Sequence, residues 1–559
     1  MHRARPALIF LLNLFLLTFS LSAAAQTSIR PFILPVATPP GPNTWLLGQP
    51  YGNTIGAFLR GTDWYSAGQR LHFGIDLSMR CGTELVAIGD GTVVFVDDRG
   101  FGSGPHNLLI RHDNVGLVSL YGHLLERPAL VPGQFVRQGE VIAYSGDPDI
   151  TCDSRPHLHL EIRSLDYRST YNPVDYIEAN WHNLAVIGSF RYPLFQQDLD
   201  NARQWMTLDD QPVVHFGGRA LNLYEAPYPD LRNGEPPVNP PLARDLGPLP
   251  DAPWSLRRLG FDGCCVNAQW HPTDANRIYL IDGSAGQRAS IFEWNTDDGS
   301  IVNLIGQAPP PGRSPDASLE ITREGNGVRI RRTDGSGEWT VDTMGAHAAI
   351  SPDNQRLLWQ VASQIASPGQ SAPPTSVWIS GVDGADAREV MVMMGGNAQW
   401  LDSERLLLTS REGIVTTLAT FNPVSGESVT LGSFSFLRTL TIAPGGGRLM
   451  FYVVNQPDPA NSGIYTLRTE AGAVPERLPW FGGWRWRDDD TVYYIPLDPA
   501  QNRQRLHYFD LTTGEDRPLT DISTLPFVVA NGDWSVSADG DQIAFWSALD
   551  RSTWLLEMN

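Results

Sequence analysis

The feature that most restricts the fold of this chain is a loose repeat of about 40 residues that fills its second half. Its units begin at short apolar or aromatic segments, at residues 267–270, 348–351, 397–400, 441–444, 483–486 and 534–537. Most units continue through a polar turn into an apolar strand, and a third strand often follows. A unit of this kind cannot bury both of its faces alone. The repeat therefore predicts blades arranged around a common axis.

These repeats resemble the β-propeller repeats of secreted bacterial proteins similar to the TolB propeller. Residues 314–345 form a shorter and less regular unit, so six and seven blades both fit the spacing. The last unit contains three predicted strands, and residues 255–259 are expected to supply its fourth strand and close the ring. We assign residues 254–559 to this propeller.

Histidines embedded in apolar segments mark the first half of the chain. The segments are LHFGIDL (71–77), SLYGHL (119–124) and PHLHLEI (156–162). Alternate side chains of an extended strand point to the same face, so His157 and His159 are predicted to lie side by side. Such a pair suits a metal ligand next to a base. Taken alone, it is equally typical of surface histidines on a half-buried strand.

Together, and in this order, the three segments resemble the lysostaphin-type zinc endopeptidases of bacterial cell walls. The resemblance covers residues 45–177 and implies a compact antiparallel β-fold. Matched residue by residue, it implies that His72, Asp76 and His159 bind Zn²⁺, and that His123 and His157 are the catalytic histidines that carry protons during amide hydrolysis. All five positions are present in this chain.

Four further residues lie near these segments. Two of them have two possible roles each, and the other two are expected to be structural. Glu161 shares the face of His157, where it either orients a metal ligand or makes a surface salt bridge. Tyr65 precedes the first ligand and either stabilises an oxyanion, as a tyrosine often does in the family, or packs in the core. His112 is expected to be a structural strand residue and His106 a loop residue.

Composition supports a β-rich folded chain and argues against one class of partner. With 559 residues, roughly two or three domains are expected. Strand-like runs separated by Gly, Asp, Asn and Pro dominate, and long amphipathic helix patterns are nearly absent, so the predicted class is all-β. The formal net charge of −20 argues against nucleic acid as a partner, because polyphosphate would be repelled. The same negative charge argues against tight electrostatic binding to anionic wall polymers.

The first 25 residues have the pattern of a secretory signal peptide. A basic start is followed by an apolar run from 7 to 21 and by Ala23-Ala24-Ala25, after which cleavage would leave Gln26 first. The mature protein is expected to be secreted or to lie in the periplasm or cell envelope, with no transmembrane segment.

The four cysteines are then expected in an oxidising compartment. Cys81 follows the first metal-binding segment and Cys152 precedes the last one. Because the resemblance brings those segments together, we predict a disulfide between Cys81 and Cys152. The adjacent Cys264 and Cys265 either form a vicinal disulfide or stay reduced.

The predicted order of domains is a peptidase domain with an N-terminal arm at 26–180, a Pro-rich linker at 181–253 with a possible hairpin at 212–219, and the propeller. Each half is expected to have its own core, so a chain ending near residue 180 is expected to fold, bind zinc and hydrolyse a small peptide.

The expected function is a secreted zinc endopeptidase that cuts peptidoglycan stem peptides or cross-bridges. One alternative is a non-catalytic wall-binding or scaffold protein that acts through the propeller and a docking-type peptidase domain. In another, the propeller recognises a protein partner, and the peptidase acts on proteins rather than on the wall. A protein or glycan ligand of the propeller is a further candidate partner.

Overall fold

The computed structural model describes residues 30–57, 70–187, 207–209, 211, 213–217, 253–259, 266–282, 290–303, 312–362, 374–525 and 527–558. The predicted signal peptide, Tyr65, Cys264, Cys265 and nearly all of the Pro-rich stretch from 227 to 253 lie outside the described residues. The all-β class is confirmed. Among helical elements, the described parts contain a short α-helix, Trp181–Leu184, and 3₁₀ turns at Arg99–Phe101, Pro173–Asp175 and Pro459–Asn461. Within these ranges, no helix is long and apolar enough to cross a membrane.

The first unit is built on a nine-stranded antiparallel sheet and a separate two-stranded pair. Its strands, in chain order, are β1 (Trp45–Leu47), β2 (Ile75–Met79), β3 (Glu84–Val86), β4 (Gly91–Val96), β5 (His106–His112), β6 (Leu117–Leu124), β7 (Phe135–Val136), β8 (Val141–Tyr144), β9 (His157–Ser164), β10 (Ser169–Tyr171) and β11 (Val214–His215). The large sheet runs β1-β2-β9-β6-β5-β4-β7, with β10 beside β9 and β11 beside β10, and β3 pairs with β8.

Strand alternation decides which side chains face the core of this unit. On β2, Ile75, Leu77 and Met79 are fully buried, whereas the residues between them point to the other face. On β9, Leu158 and Leu160 are fully buried as predicted. Because β9 lies between β2 and β6, the three histidine-containing segments meet on one face of the sheet.

The second unit consists of seven four-stranded antiparallel sheets. Blades 1 to 3 are formed by β13 (Val266–Trp270), β14 (Arg277–Asp282), β15 (Ser290–Asn295) and β16 (Ile301–Asn303); β17 (Gly312–Arg313), β18 (Leu319–Glu324), β19 (Gly327–Arg332) and β20 (Glu338–Asp342); and β21 (Ala348–Ile350), β22 (Arg356–Ala362), β23 (Pro374–Gly381) and β24 (Arg388–Met394). Blades 4 and 5 are formed by β25 (Gly396–Trp400), β26 (Leu406–Glu412), β27 (Val415–Phe421) and β28 (Ser428–Ser435); and β29 (Leu437–Ile442), β30 (Arg448–Val453), β31 (Gly463–Arg468) and β32 (Glu476–Arg477). Blade 6 is formed by β33 (Gly482–Trp486), β34 (Thr491–Pro496), β35 (His507–Asp510) and β36 (Asp516–Pro518), and blade 7 by β37 (Val529–Val536), β38 (Gln542–Ser547), β39 (Thr553–Met558) and β12 (Trp254–Arg258).

The blade count and the ring closure follow from these pairings. The irregular unit at 314–345 is a complete blade, blade 2, so the propeller has seven blades. β12 pairs with β39 along its whole length, from Trp254 opposite Met558 to Arg258 opposite Trp554. The first propeller strand therefore completes the last blade, and the predicted closure is confirmed.

Each unit has its own hydrophobic core, and a smaller shared contact joins them. The peptidase core contains residues of β2, β5, β6 and β9, and the propeller cores lie between blades. At the contact, Leu46, Ile187 and Val454 form a buried cluster. Asn183, which is 4% exposed, directs its Nδ2 at the backbone oxygens of Asp498, Gln501 and Arg503, at 3.0, 2.5 and 3.2 Å.

Candidate metal centre

Three buried or partly buried side chains converge on one face of the large sheet. Asp76 on β2 lies directly opposite His159 on β9, and His72 lies just before β2. His72 Nε2 is 3.1 Å from Asp76 Oδ1 and 3.1 Å from His159 Nδ1, and Asp76 Oδ1 is 2.8 Å from His159 Nδ1. Among the described residues, this is the group of three that could hold a metal ion.

The hydrogen bonds around the two imidazoles assign their tautomers. His72 Nδ1 lies 2.6 Å from the carbonyl oxygen of Pro50, so in the neutral ring Nδ1 carries the proton and Nε2 has the lone pair. His159 Nε2 lies 3.1 Å from Glu161 Oε1, so in the neutral, metal-binding form of that ring Nε2 carries the proton and Nδ1 has the lone pair. Two lone pairs and a carboxylate oxygen therefore face one another.

That donor set fits a metal ion. The ligand atoms of a tetrahedral zinc site lie about 3.3 Å apart, because each metal–ligand bond is about 2.0–2.1 Å long. The separations of 2.8 to 3.1 Å are close to this value. The residues present thus match a site with three protein ligands and open positions.

The charges around the centre favour a positive charge within it. Burial alone would raise the pKa of Asp76, yet the neighbouring His72 and His157 hold it well below its usual range. Burial would lower the pKa of His159, but the hydrogen bonds and charges of Asp76 and Glu161 raise it to about 9.

Glu161 is a buried partner of a metal-site histidine. It is 2% exposed, so of its two predicted alternatives the structure shows the ligand-orienting contact and not a surface salt bridge. Its other oxygen, Oε2, accepts a 2.6 Å hydrogen bond from Arg163 Nε. Burial would raise the pKa of Glu161, but the charge of Arg163 and the bond from His159 lower it to about 2.

The two predicted catalytic histidines lie beside the triad. The His123 and His157 rings are 4.7 Å apart between centroids, and the His123 and His159 rings 5.8 Å. His123 Nδ1 is 2.5 Å from Gly104 O, and His157 Nδ1 is 2.7 Å from Arg155 O. His157 Nε2 is 3.7 Å from Asp76 Oδ1. The five residues singled out in the sequence therefore share one site.

The loop before β5 places His123. Ser103 O accepts a hydrogen bond from the His123 backbone N, and Gly104 O accepts one from its ring. Asn107 fixes this loop, because its Nδ2 donates 2.8 Å hydrogen bonds to Asp98 O and to Gly102 O. Sequence analysis missed Asn107, which no motif distinguishes from an ordinary strand residue.

Residues next to the centre confirm two predictions and correct a third. A disulfide joins Cys81 to Cys152, with Cα atoms 5.9 Å apart, so it links the end of β2 to the loop before β9. His112 is fully buried and bonds to Asp90 O and Ser119 Oγ, which is a structural role. His106 is not a loop residue. It begins β5, where its Nδ1 is 2.8 Å from Asp97.

Residues 207–209, 211 and 213–217 contribute to this unit in a way that sequence analysis missed. The predicted hairpin is not seen among the described residues, and Val214 and His215 instead pair with Thr170 and Ser169 at the edge of the sheet. Phe216 then packs on Phe73, next to the first ligand. The run from Val213 to Phe216 was the available signal, but it did not show which strand it would join.

Comparison with known proteins agrees with this geometry. A family model described as Peptidase family M23 matches residues 70–175. Lysostaphin from Staphylococcus simulans is 29% identical over 117 residues, which are 21% of this chain and 23% of that protein. The DD-carboxypeptidase/endopeptidase Mpg of Neisseria meningitidis serogroup B (strain ATCC 13091 / M2091) is 41% identical over 95 residues, 17% of this chain and 20% of that protein.

The chain thus spans about a fifth to a quarter of the length of these curated relatives. The match includes every residue of the metal-site triad and both neighbouring histidines. Residues 70–175 of this chain are therefore a metallopeptidase domain of peptidase family M23, with an intact metal-binding triad of His72, Asp76 and His159, joined to a C-terminal seven-bladed β-propeller.

Proposed function

We propose that this protein is a zinc-dependent endopeptidase of the cell envelope that hydrolyses amide bonds in the stem peptides or cross-bridges of peptidoglycan. The observation that carries the proposal is the convergence of His72, Asp76 and His159 with two further imidazoles, His123 and His157. Two nitrogen ligands and one oxygen ligand suit zinc. When bound, zinc acts as a Lewis acid that polarises a carbonyl group and makes a water molecule acidic enough to react near neutral pH.

We assign proton transfer to His123 and His157. A backbone carbonyl holds Nδ1 of each ring, which leaves Nε2 as the atom that accepts a proton and gives it back. Burial and the neighbouring imidazoles lower the pKa of His123 to about 3, so its ring is neutral at physiological pH. Amide hydrolysis needs both transfers, because the attacking water loses a proton and the leaving amine gains one.

Peptidoglycan as the substrate follows from the family resemblance, and the name of one relative, DD-carboxypeptidase/endopeptidase, points to the same class of bond. The net charge of −20 is unfavourable for binding anionic wall polymers, so we assign recognition to the peptide part of the wall. The Cys81–Cys152 disulfide supports an oxidising, extracytoplasmic location, in line with the predicted signal peptide.

The test is digestion of purified peptidoglycan by the full mature chain, with and without a chelator, followed by mass analysis of the fragments. Casein is digested in parallel as a protein substrate. We expect new peptide ends in peptidoglycan alone, and only when chelator is absent. Cleavage of casein without cleavage of peptidoglycan would move the substrate to proteins. A protein that purifies without stoichiometric zinc and cuts neither substrate would support a wall-binding or scaffold role.

A further inference from the structure

A short stretch of chain beyond the family match completes the peptidase sheet. We call residues 207–209, 211 and 213–217 the return segment. Asn172 Nδ2 donates a 2.7 Å hydrogen bond to Leu208 O, and Gln211 Oε1 accepts one of 2.8 Å from the Asn53 backbone. Tyr51 Oη accepts a hydrogen bond of 3.2 Å from Val214 N. The return segment is therefore fixed to the domain by contacts to two separate parts of it, residues 51–53 and Asn172.

Near its end the return segment contains Phe216, whose ring lies against the guanidinium of Arg163. The Arg163 Cζ atom is 4.7 Å from the Phe216 ring centroid and 5.4 Å from that of Phe101. Phe216 also makes an edge contact with Phe73 at 5.0 Å, and its backbone N donates to Arg168 O at 2.9 Å. The contacts with Phe73 and with the Arg168 carbonyl oxygen thus hold the Phe216 ring in place over Arg163.

Arg163 is connected to the metal-site ligands by consecutive hydrogen bonds. Its Nε donates to Glu161 Oε2 at 2.6 Å, and the other oxygen of Glu161 accepts from His159 Nε2 at 3.1 Å. Its Nη2 donates to Phe101 O at 3.3 Å, in the loop that also supplies the carbonyl held by His123. Arg163 is 5% exposed. One guanidinium therefore supports a metal-site ligand and the loop of a catalytic histidine.

The aromatic ring has a clear physical effect on that guanidinium. The N–H groups of a guanidinium donate in its plane and its faces are weakly hydrated, so an uncovered face leaves the long side chain free to tilt away from a partner. A ring over the face adds a favourable cation–π contact and restricts the tilt of the plane. Arg163 Nε–H then stays directed at Glu161, and Glu161 stays directed at the Nε2–H of His159.

We propose that Phe216 is a positioning residue of the metallopeptidase site: by covering Arg163 it keeps Glu161 on His159, so the return segment, outside the family domain, sets the affinity of the site for its metal. The inference rests on the metal site of the proposed function and not on peptidoglycan as its substrate. The return segment lies outside the family match at 70–175, and the inference gives this segment a role in the metal site.

The test measures zinc affinity of the full mature chain by competition with a chromogenic chelator. Phe216→Leu keeps the apolar bulk but removes the ring face, and we expect it to weaken zinc binding by about tenfold, the lower end of effects seen for groups that orient metal ligands. Phe216→Tyr keeps the ring, and Val213→Ala changes an exposed neighbour in the same segment. Both controls should stay within about twofold of the parent chain.

A second arm separates this route from general destabilisation. In a Glu161→Gln background the carboxylate that Arg163 orients is gone, so adding Phe216→Leu should cause less than about a twofold further loss of zinc affinity. An equal loss in both backgrounds would overturn the route through Glu161, and parent-like zinc affinity of Phe216→Leu would overturn the role of Phe216. The Co²⁺ absorption spectrum of Phe216→Leu should also change, because it reports the orientation of His159. If no variant cuts peptidoglycan but these zinc effects appear, the inference stands and the proposed substrate fails.

Discussion

Asp76 on β2 and His159 on β9 are direct cross-strand partners, and Asp76 Oδ1 lies 2.8 Å from His159 Nδ1. The register of two adjacent strands therefore brings together two of the three metal-site ligands. Side chains directly opposite each other in an antiparallel pair have Cβ atoms about 5 Å apart. A one-residue slip would turn one of the two ligands to the core face. The buried apolar residues that alternate with them, Leu77 and Leu158 among others, prevent that slip.

Removal of either member of this pair should empty the site. We expect His159→Ala and Asp76→Ala to reduce zinc content from one ion per chain to almost none and to abolish hydrolysis, because each removes one of three protein ligands. Zinc is measured by atomic absorption after gel filtration. His347→Ala, an exposed histidine of the propeller, is the matched control and should keep full zinc. Full occupancy in Asp76→Ala would refute the ligand assignment.

His157→Ala should separate zinc binding from turnover. Its Nε2 is 3.7 Å from Asp76 Oδ1, but His157 is not among the three described residues whose ligand atoms all converge, so the zinc content should be unchanged. Loss of a positioned proton carrier typically lowers a rate by about 10²–10⁴-fold, and we expect kcat to fall within that range. Zinc content and kcat on a soluble stem peptide are measured on the same preparation. An unchanged kcat would assign proton transfer to His123 or to solvent.

Much of the site was predictable because the hydrophobic pattern within a segment determines which way its side chains point. The alternation in 156–162 correctly placed His157 and His159 on one face, and the apolar residues between them in the core. Residues 255–259 were correctly expected to close the propeller, because the last repeat lacked one strand. In both cases the hydrophobic pattern of the segment itself decides the outcome.

What was not predictable depends on contacts distant in sequence. Phe216 and Arg163 are brought together by the pairing of β11 with β10, and a two-residue strand has too short a pattern to select its partner. His106 was expected in a loop, yet it pairs with Leu124 of β6 and therefore belongs to β5. Blade 2 was ambiguous because its first strand, Gly312–Arg313, is only two residues long.

The Cys81–Cys152 disulfide should stabilise the domain through the long loop it closes. Its cysteines are 71 positions apart, and loss of a native disulfide of this kind typically costs about 2–5 kcal/mol. We expect the double variant Cys81→Ser, Cys152→Ser to lower the free energy of unfolding by that amount in urea titration. Mass mapping of the parent chain without reductant should recover the linked peptides. Recovery of both cysteines as free thiols would contradict the prediction.

Asn183 should couple the peptidase domain to the propeller. Its buried Nδ2 donates to the backbone oxygens of Asp498, Gln501 and Arg503. These three oxygens lose that donor when the Asn183 side chain is removed. We expect Asn183→Ala to cost about 1–3 kcal/mol, the cost of leaving buried acceptors unpaired, and to lower the temperature at which the domains separate in calorimetry. Asn461→Ala, at an exposed propeller position, should leave the trace unchanged. An identical trace for Asn183→Ala would show that the apolar cluster alone joins the domains.

The return segment changes what is expected of a shortened chain. Ending at residue 180 removes β11, the contact of Leu208 with Asn172, and the ring over Arg163. Residues 26–180 should therefore contain all five site residues but bind zinc less tightly and unfold more readily than residues 26–217. The longer piece should match the full mature chain in zinc affinity and in kcat on a short soluble peptide, because the propeller supplies none of the five site residues. The three chains are compared in one zinc-competition and urea-unfolding series. Equal zinc affinity and stability for 26–180 and 26–217 would show that the domain is complete at residue 180. If 26–217 is folded and zinc-loaded but inactive, the propeller contributes to the site itself.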